Sequence, residues 1–113
     1  MIREYKDYLI DIIEAIDKIE QFTKAITFED FKKDEKTIFA VIRALEVVGE
    51  AAKKIPVGAR NRYKTIPWKQ IAGMRDKLIH EYFGVNIQVI WKTIKEDIPL
   101  LKPIIKQMAD DMQ

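Results

Sequence analysis

Apolar positions recur at helical spacing along nearly the whole chain. Tyr5, Leu9, Ile12, Ile16, Ile19 and Phe22 fall three or four residues apart, which predicts one amphipathic helix from about Ile2 to Lys24. Thr27 to Phe31 reads as a connector. A second helix is expected to begin near Asp34, whose short carboxylate suits an N-cap, with Ile38, Val41, Ile42, Leu45, Val48, Gly49 and Ala52 on one face and Pro56 as its stop. The following segment, VGARNRYKTIP, reads as a basic loop with a break or short turn. Pro67 then opens a third helix running to about Glu81, with Gly84 as its natural end. Asn86 caps a fourth, on which Ile87, Ile90, Ile94, Leu101, Ile105 and Met108 share a stripe; Pro99 and Pro103 are expected to bend or split it. No alternating β-branched run competes. The pattern predicts an all-α, up-and-down bundle of four to five helices.

Composition narrows this without changing it. The 113 residues suffice for one hydrophobic core, so a single domain over residues 1–113 is expected. Hydrophobic residues at 48% and charged residues at 34% are a globular rather than a disordered balance. No apolar run approaches the roughly 20 residues that a membrane span needs, and MIREYKDYLID places acids where a signal peptide is apolar, so a cytoplasmic protein without membrane contact is expected. There is no cysteine, hence no disulfide framework, thiol nucleophile or thiolate metal site. A single histidine removes multi-histidine zinc sites as well. Metal chemistry would have to rest on carboxylates, and neither a metal nor a cofactor is expected.

Charge is unevenly placed. Net charge is only +2, yet between Lys53 and His80 eight basic residues (Lys53, Lys54, Arg60, Arg62, Lys64, Lys69, Arg75, Lys77) face one acid, Asp76. Such a block suits phosphate neutralisation, with Arg60, Arg62 and Lys64 as candidate contacts to a phosphate backbone. On charge alone, a plain solvated basic surface is the simpler reading.

The only histidine lies in RDKLIHEY, where Arg75 precedes His80 by five residues and Tyr82 follows by two. At about 100° per residue, Arg75 falls about 40° from Ile71, inside the apolar stripe of Leu78, Met74 and Tyr82. His80 falls about 180° away, on the polar side with Gly73 and Lys77. An arginine in a core-facing stripe is costly unless a carboxylate or phosphate pairs with it. On the second helix Phe39, Arg43, Glu46 and Glu50 form a mixed stripe beside the core, and Glu46 and Glu50 repel at i and i+4 unless a cation relieves them. Arg43 can serve Glu46 locally and Arg75 across the bundle. An inter-helix salt bridge without chemistry satisfies the same spacing. Asp76, one helical turn from His80, either orients the imidazole or is solvated.

RDKLIHEY, together with DEKTIFAVIRALEVVGEAAKKIP upstream and PWKQIAGMRDKLIHEYFGVN around it, resembles the HEPN-domain proteins of the HepT-like ribonuclease toxin family over roughly residues 30 to 100. The family signature, Arg, four to six residues, His, any residue, Tyr, is matched by Arg75, His80 and Tyr82. The resemblance implies metal-independent RNA cleavage by a homodimer with paired Arg and His in a shared cleft, and a partner nucleotidyltransferase antitoxin of the MNT type that adenylylates Tyr82. In that chemistry His80 shuttles a proton, Arg75 holds the phosphoryl oxygens with a permanently charged fork, and Tyr82 positions RNA. Arg75 and His80 lie about 140° apart on one helix, so two copies about a two-fold axis would bring them to one phosphate more easily than one copy. The rival reading is a non-catalytic HEPN module that binds nucleotide or RNA and docks a nucleotidyltransferase; a helical adaptor is the third.

Overall fold

The computed structural model describes residues 4–73 and 87–112. Among these the fold is all-α. Helix α1 (Tyr5–Thr23) opens with the Glu4 backbone N–H donating to the Asp7 carboxylate at 3.3 Å, which satisfies one of the donors a helix start leaves free. Its expected stripe turns inward at Leu9, Ile12, Ile16 and Ile19, but Phe22 does not follow: its ring is 38% exposed. Thr23 is buried in its place, and its hydroxyl donates to the Ile19 carbonyl at 2.8 Å.

The expected connector at Thr27 to Phe31 is instead the start of a helix, α2 (Phe28–Lys33). Thr27 Oγ1 accepts the Asp30 N–H at 3.2 Å while the Asp30 carboxylate accepts the Thr27 N–H at 3.1 Å, a reciprocal cap that nucleates even a short helix. Phe31, fully buried, carries this turn into the core, with its ring centroid 5.0 Å from that of Trp91. Asp34 then ends α2 and caps α3 (Glu35–Lys53), accepting the Thr37 N–H at 3.1 Å and the Thr37 hydroxyl at 2.6 Å. These bonds hold its carboxyl below the usual carboxylate range, since both favour the charged form. Along α3 the predicted face is inside: Val41, Leu45, Val48 and Ala52 are buried and Ile38 is half-buried.

Beyond Pro56 the expected basic loop begins as a helix, α4 (Val57–Asn61), and only then turns. Pro56 provides an extended entry residue and its carbonyl accepts the Arg60 N–H at 3.0 Å, so the proline that stops α3 also starts α4. Helix α5 begins after Pro67, as expected, and is described over residues 68–73. The expected end of that helix near Glu81, the Gly84 stop and the Asn86 cap lie outside the described residues.

Helix α6 (Ile87–Lys92) passes through a π-helical turn (Thr93–Asp97) into α7 (Ile98–Asp111). Neither proline splits this run. In the π turn the Ile98 N–H reaches back five residues to the Thr93 carbonyl, and Pro99, which has no N–H to give, follows immediately. The widened turn absorbs the mismatch that a proline imposes on the i to i−4 ladder. Pro103 is accepted inside α7 on its exposed side. Ile90, Ile94, Leu101, Ile105 and Met108 are buried as the stripe predicts. Helix α1 packs along α3 and against α7, so the first and last long helices meet. Lys102 fastens that contact, its ammonium 2.7 Å from Asp17 and 3.3 Å from Glu20; the bond to Asp17, then Glu20, raises its pKa despite partial desolvation.

Candidate functional site

The RDKLIHEY segment is reached through α5, and the start of α5 is fixed by residues that precede it. Ile66, Trp68 and Ile71 are buried, while Lys69, Gln70 and Gly73 are exposed. This is the register expected from the apolar stripe, with Ile71 inward and Gly73 on the polar side, as far as residue 73. The Trp68 indole N–H donates to the Tyr63 carbonyl at 3.1 Å, and the Ile66 N–H donates to the same oxygen at 3.1 Å. The Tyr63 hydroxyl in turn donates to the Asp111 carboxylate at the end of α7, and the Gln107 amide donates to the other Asp111 oxygen at 2.7 Å. Asp111, as acceptor, holds the Tyr63 phenol above its ordinary value. The same bond, the Gln107 amide and the nearby Arg62 charge hold Asp111 below the usual carboxylate range.

Arg75, Asp76, His80 and Tyr82 lie outside the described residues, so their expected geometry is neither met nor contradicted. The supporting residues on α3 are described. Arg43 is 3.4 Å from Glu46, with side chains 69% and 25% exposed, which is the local pairing expected of them. Exposure makes it a weak contact that leaves Glu46 open to a second cation. Glu50 is exposed one turn further on. Arg43 also borders a groove of about 370 Å³ between α1 and α3, floored by Ala15, Ala40, Ala44 and Val47 and rimmed by Asp11, Glu14 and Lys18.

The three basic residues expected to track phosphate are not equivalent. Arg60 is half-buried and its Nε–H donates to the Ile55 carbonyl at 2.8 Å, capping the chain as it leaves α3. Arg62 donates to the Tyr5 hydroxyl at 3.3 Å, an exposed contact. Lys64 is exposed. Arg60 therefore has a structural task that the charge pattern alone conceals. The Tyr63 to Asp111 and Trp68 to Tyr63 contacts had no local signal, the first spanning 48 residues. No group of three or more His, Cys, Asp or Glu able to hold a metal ion occurs among the described residues, and no helix there is long and apolar enough to cross a membrane.

Residues 12–108 match the family model described as Ribonuclease HepT-like. The chain belongs to that family. Among its relatives, the protein of Thermococcus cleftensis named "Probable ribonuclease HepT" is 62% identical over 90% of this chain and 93% of its own length. A Methanocaldococcus jannaschii protein with RNase in its name is 46% identical over 98% of this chain and 92% of its own. Another, from Caldanaerobacter subterraneus, is 47% identical over 91% and 92%. No solved structure matches the chain. The all-α HepT-like fold expected from periodicity and motif thus stands on the family match and on the helices together.

Proposed function

We propose that this HepT-like chain is a metal-independent endoribonuclease toxin of a two-component HEPN and MNT module. It acts as a homodimer with Arg75 and His80 of two copies gathered about one phosphate. The observation that carries the reading is the RDKLIHEY string in a chain that belongs to the HepT-like family across residues 12–108. The relatives named as ribonucleases support it.

In this reading His80 removes the proton from a ribose 2′-hydroxyl, and the 2′-oxygen attacks the adjacent phosphorus. Arg75 holds the non-bridging oxygens of the phosphorane, where a planar, permanently charged fork gains most as charge develops. The 5′-oxygen leaves and takes a proton from an imidazolium, which leaves a 2′,3′-cyclic phosphate and a 5′-hydroxyl. Asp76 is placed by sequence to orient His80, while Glu46 and Glu50 supply the carboxylates that hold Arg75 or Arg43 when RNA is absent. A partner nucleotidyltransferase silences the dimer by transferring the adenylate of ATP to Tyr82: the phenol oxygen bonds to the α-phosphorus, the α–β anhydride breaks, and pyrophosphate and the phenol proton leave. The added phosphodiester brings about one negative charge, which competes with RNA for Arg75.

The test is cleavage of a generic RNA by the purified protein in chelator, followed by end-group analysis. The expected products carry cyclic phosphate, and His80→Ala abolishes them with helix content unchanged. RNA that is bound and left intact by the wild type would overturn the nuclease reading in favour of a binding module. Incubation with the cognate nucleotidyltransferase, ATP and magnesium is expected to add adenylate mass at Tyr82; label on Tyr5, Tyr8 or Tyr63 instead would refute that part.

A further inference from the structure

Tyr63 holds two parts of the fold at once. Its carbonyl oxygen receives both the Ile66 backbone N–H and the Trp68 indole N–H, each at 3.1 Å, and Trp68 is the first helical residue of α5. Its hydroxyl reaches Asp111, the last residue of α7, whose other oxygen is occupied by Gln107 at 2.7 Å. One residue therefore links the end of the last helix to the start of the helix that leads in sequence into Arg75 and His80.

We propose that Tyr63 and Asp111 are positioning residues: a surface clamp that sets the axis of α5, the helix that leads in sequence into RDKLIHEY. The inference rests on the ribonuclease reading for its catalytic half. Both groups lie at the surface, where one hydrogen bond adds little to global stability, so the bond matters mainly for geometry. A helix rises about 1.5 Å per residue, so a tilt of about 5° at its first turn displaces a group about 10 Å along by about 1 Å. A misplacement of about 1 Å in a reacting group is worth up to about 100-fold in rate. The half-buried Tyr63 ring and the buried Trp68 make the joint stiff, and the hydroxyl of Tyr63 selects its angle.

The sequence supplies a reporter. It has only two tryptophans, so a nitrogen–proton correlation spectrum of the full chain shows two indole peaks. Trp91 is the internal control, because it packs on Phe28 and Phe31 of α2. Tyr63→Phe and Asp111→Ala are each expected to shift the Trp68 peak and leave the Trp91 peak in place. Each is expected to lower kcat for RNA cleavage by about 10- to 100-fold with KM within about two-fold, because aim is lost and phosphate contacts are kept. The double variant is expected to be no worse than either single one, and Asp111→Asn, which keeps an acceptor oxygen, to recover part of the rate. Additive losses, an unmoved Trp68 peak or an unchanged kcat would overturn the proposal. A wild type that fails to cut RNA while its Trp68 peak still follows Asp111 would overturn the ribonuclease reading and the catalytic half with it, and would leave the clamp itself demonstrated.

Discussion

The ammonium of Lys95 lies 3.1 Å from the carbonyl oxygen of Thr23. It joins the π-helical turn to the last residue of α1, where a helix leaves carbonyls unpaired and carries its negative end. The same ammonium sits 4.8 Å from the Trp91 ring centroid. Cation, carbonyl and indole face therefore share one junction between α1, α2 and α6. Lys95→Met, which keeps most of the aliphatic stem, is expected to cost about 1 kcal/mol from the lost dipole and ring contacts. Urea unfolding followed by tryptophan fluorescence checks this, and an unchanged midpoint would show that the contact is incidental.

Arg60 and Lys64 should separate cleanly. Arg60→Gln removes the donor that caps the Ile55 carbonyl and is expected to lower Tm, with any loss of RNA affinity secondary to that. Lys64→Gln touches no such bond among the described residues. It is expected to leave Tm alone and to reduce the slope of log affinity against log salt by about one phosphate contact. Equal salt slopes for wild type and Lys64→Gln would remove the residue from the RNA surface.

The cap at Asp34 predicts a pH dependence with a defined sign. Its carboxyl is held below the ordinary value of 3.8 in the folded chain, so the stabilisation is present above that value and is lost as pH falls through the lower, folded value. Wild type should therefore melt above Asp34→Ala at neutral pH. The gap should narrow as pH falls below 3.8 and close once the carboxyl protonates and Thr37 loses its charged acceptor. A gap that persists into acid would show that the carboxylate charge is not what stabilises α3.

Periodicity made the long helices legible because burial and apolar spacing are the same fact seen twice: Leu9, Ile12 and Ile16, or Ile90, Ile94 and Leu101, are both regular in sequence and buried. It failed where a helix is too short to show a period. Helix α2 is six residues long, and its signal was the Thr27 and Asp30 pair rather than any stripe. Phe22 went astray because a helix end can turn an apolar residue outward once Thr23 satisfies its own hydroxyl. At the site, composition identified a basic stretch but not which cations hold backbone carbonyls. That distinction depends on where Ile55 ends up in space, which no local pattern encodes. Arg75, His80 and Tyr82 were singled out as a site through resemblance to a family, since spacing alone leaves a salt bridge and a catalytic pair equally acceptable.

The meeting of α1 with α7 through Lys102, Asp17 and Glu20 bears on the timing of synthesis. Helices α1, α2 and α3 can pair while the chain is still emerging from the ribosome, because their mutual contacts need nothing beyond Lys53. The face of α1 that receives α7 stays uncovered until Lys102 arrives, 82 residues after Glu20. This order postpones closure of the bundle until α7 has been made. Any activity that depends on the finished bundle would be withheld until α7 has packed on α1.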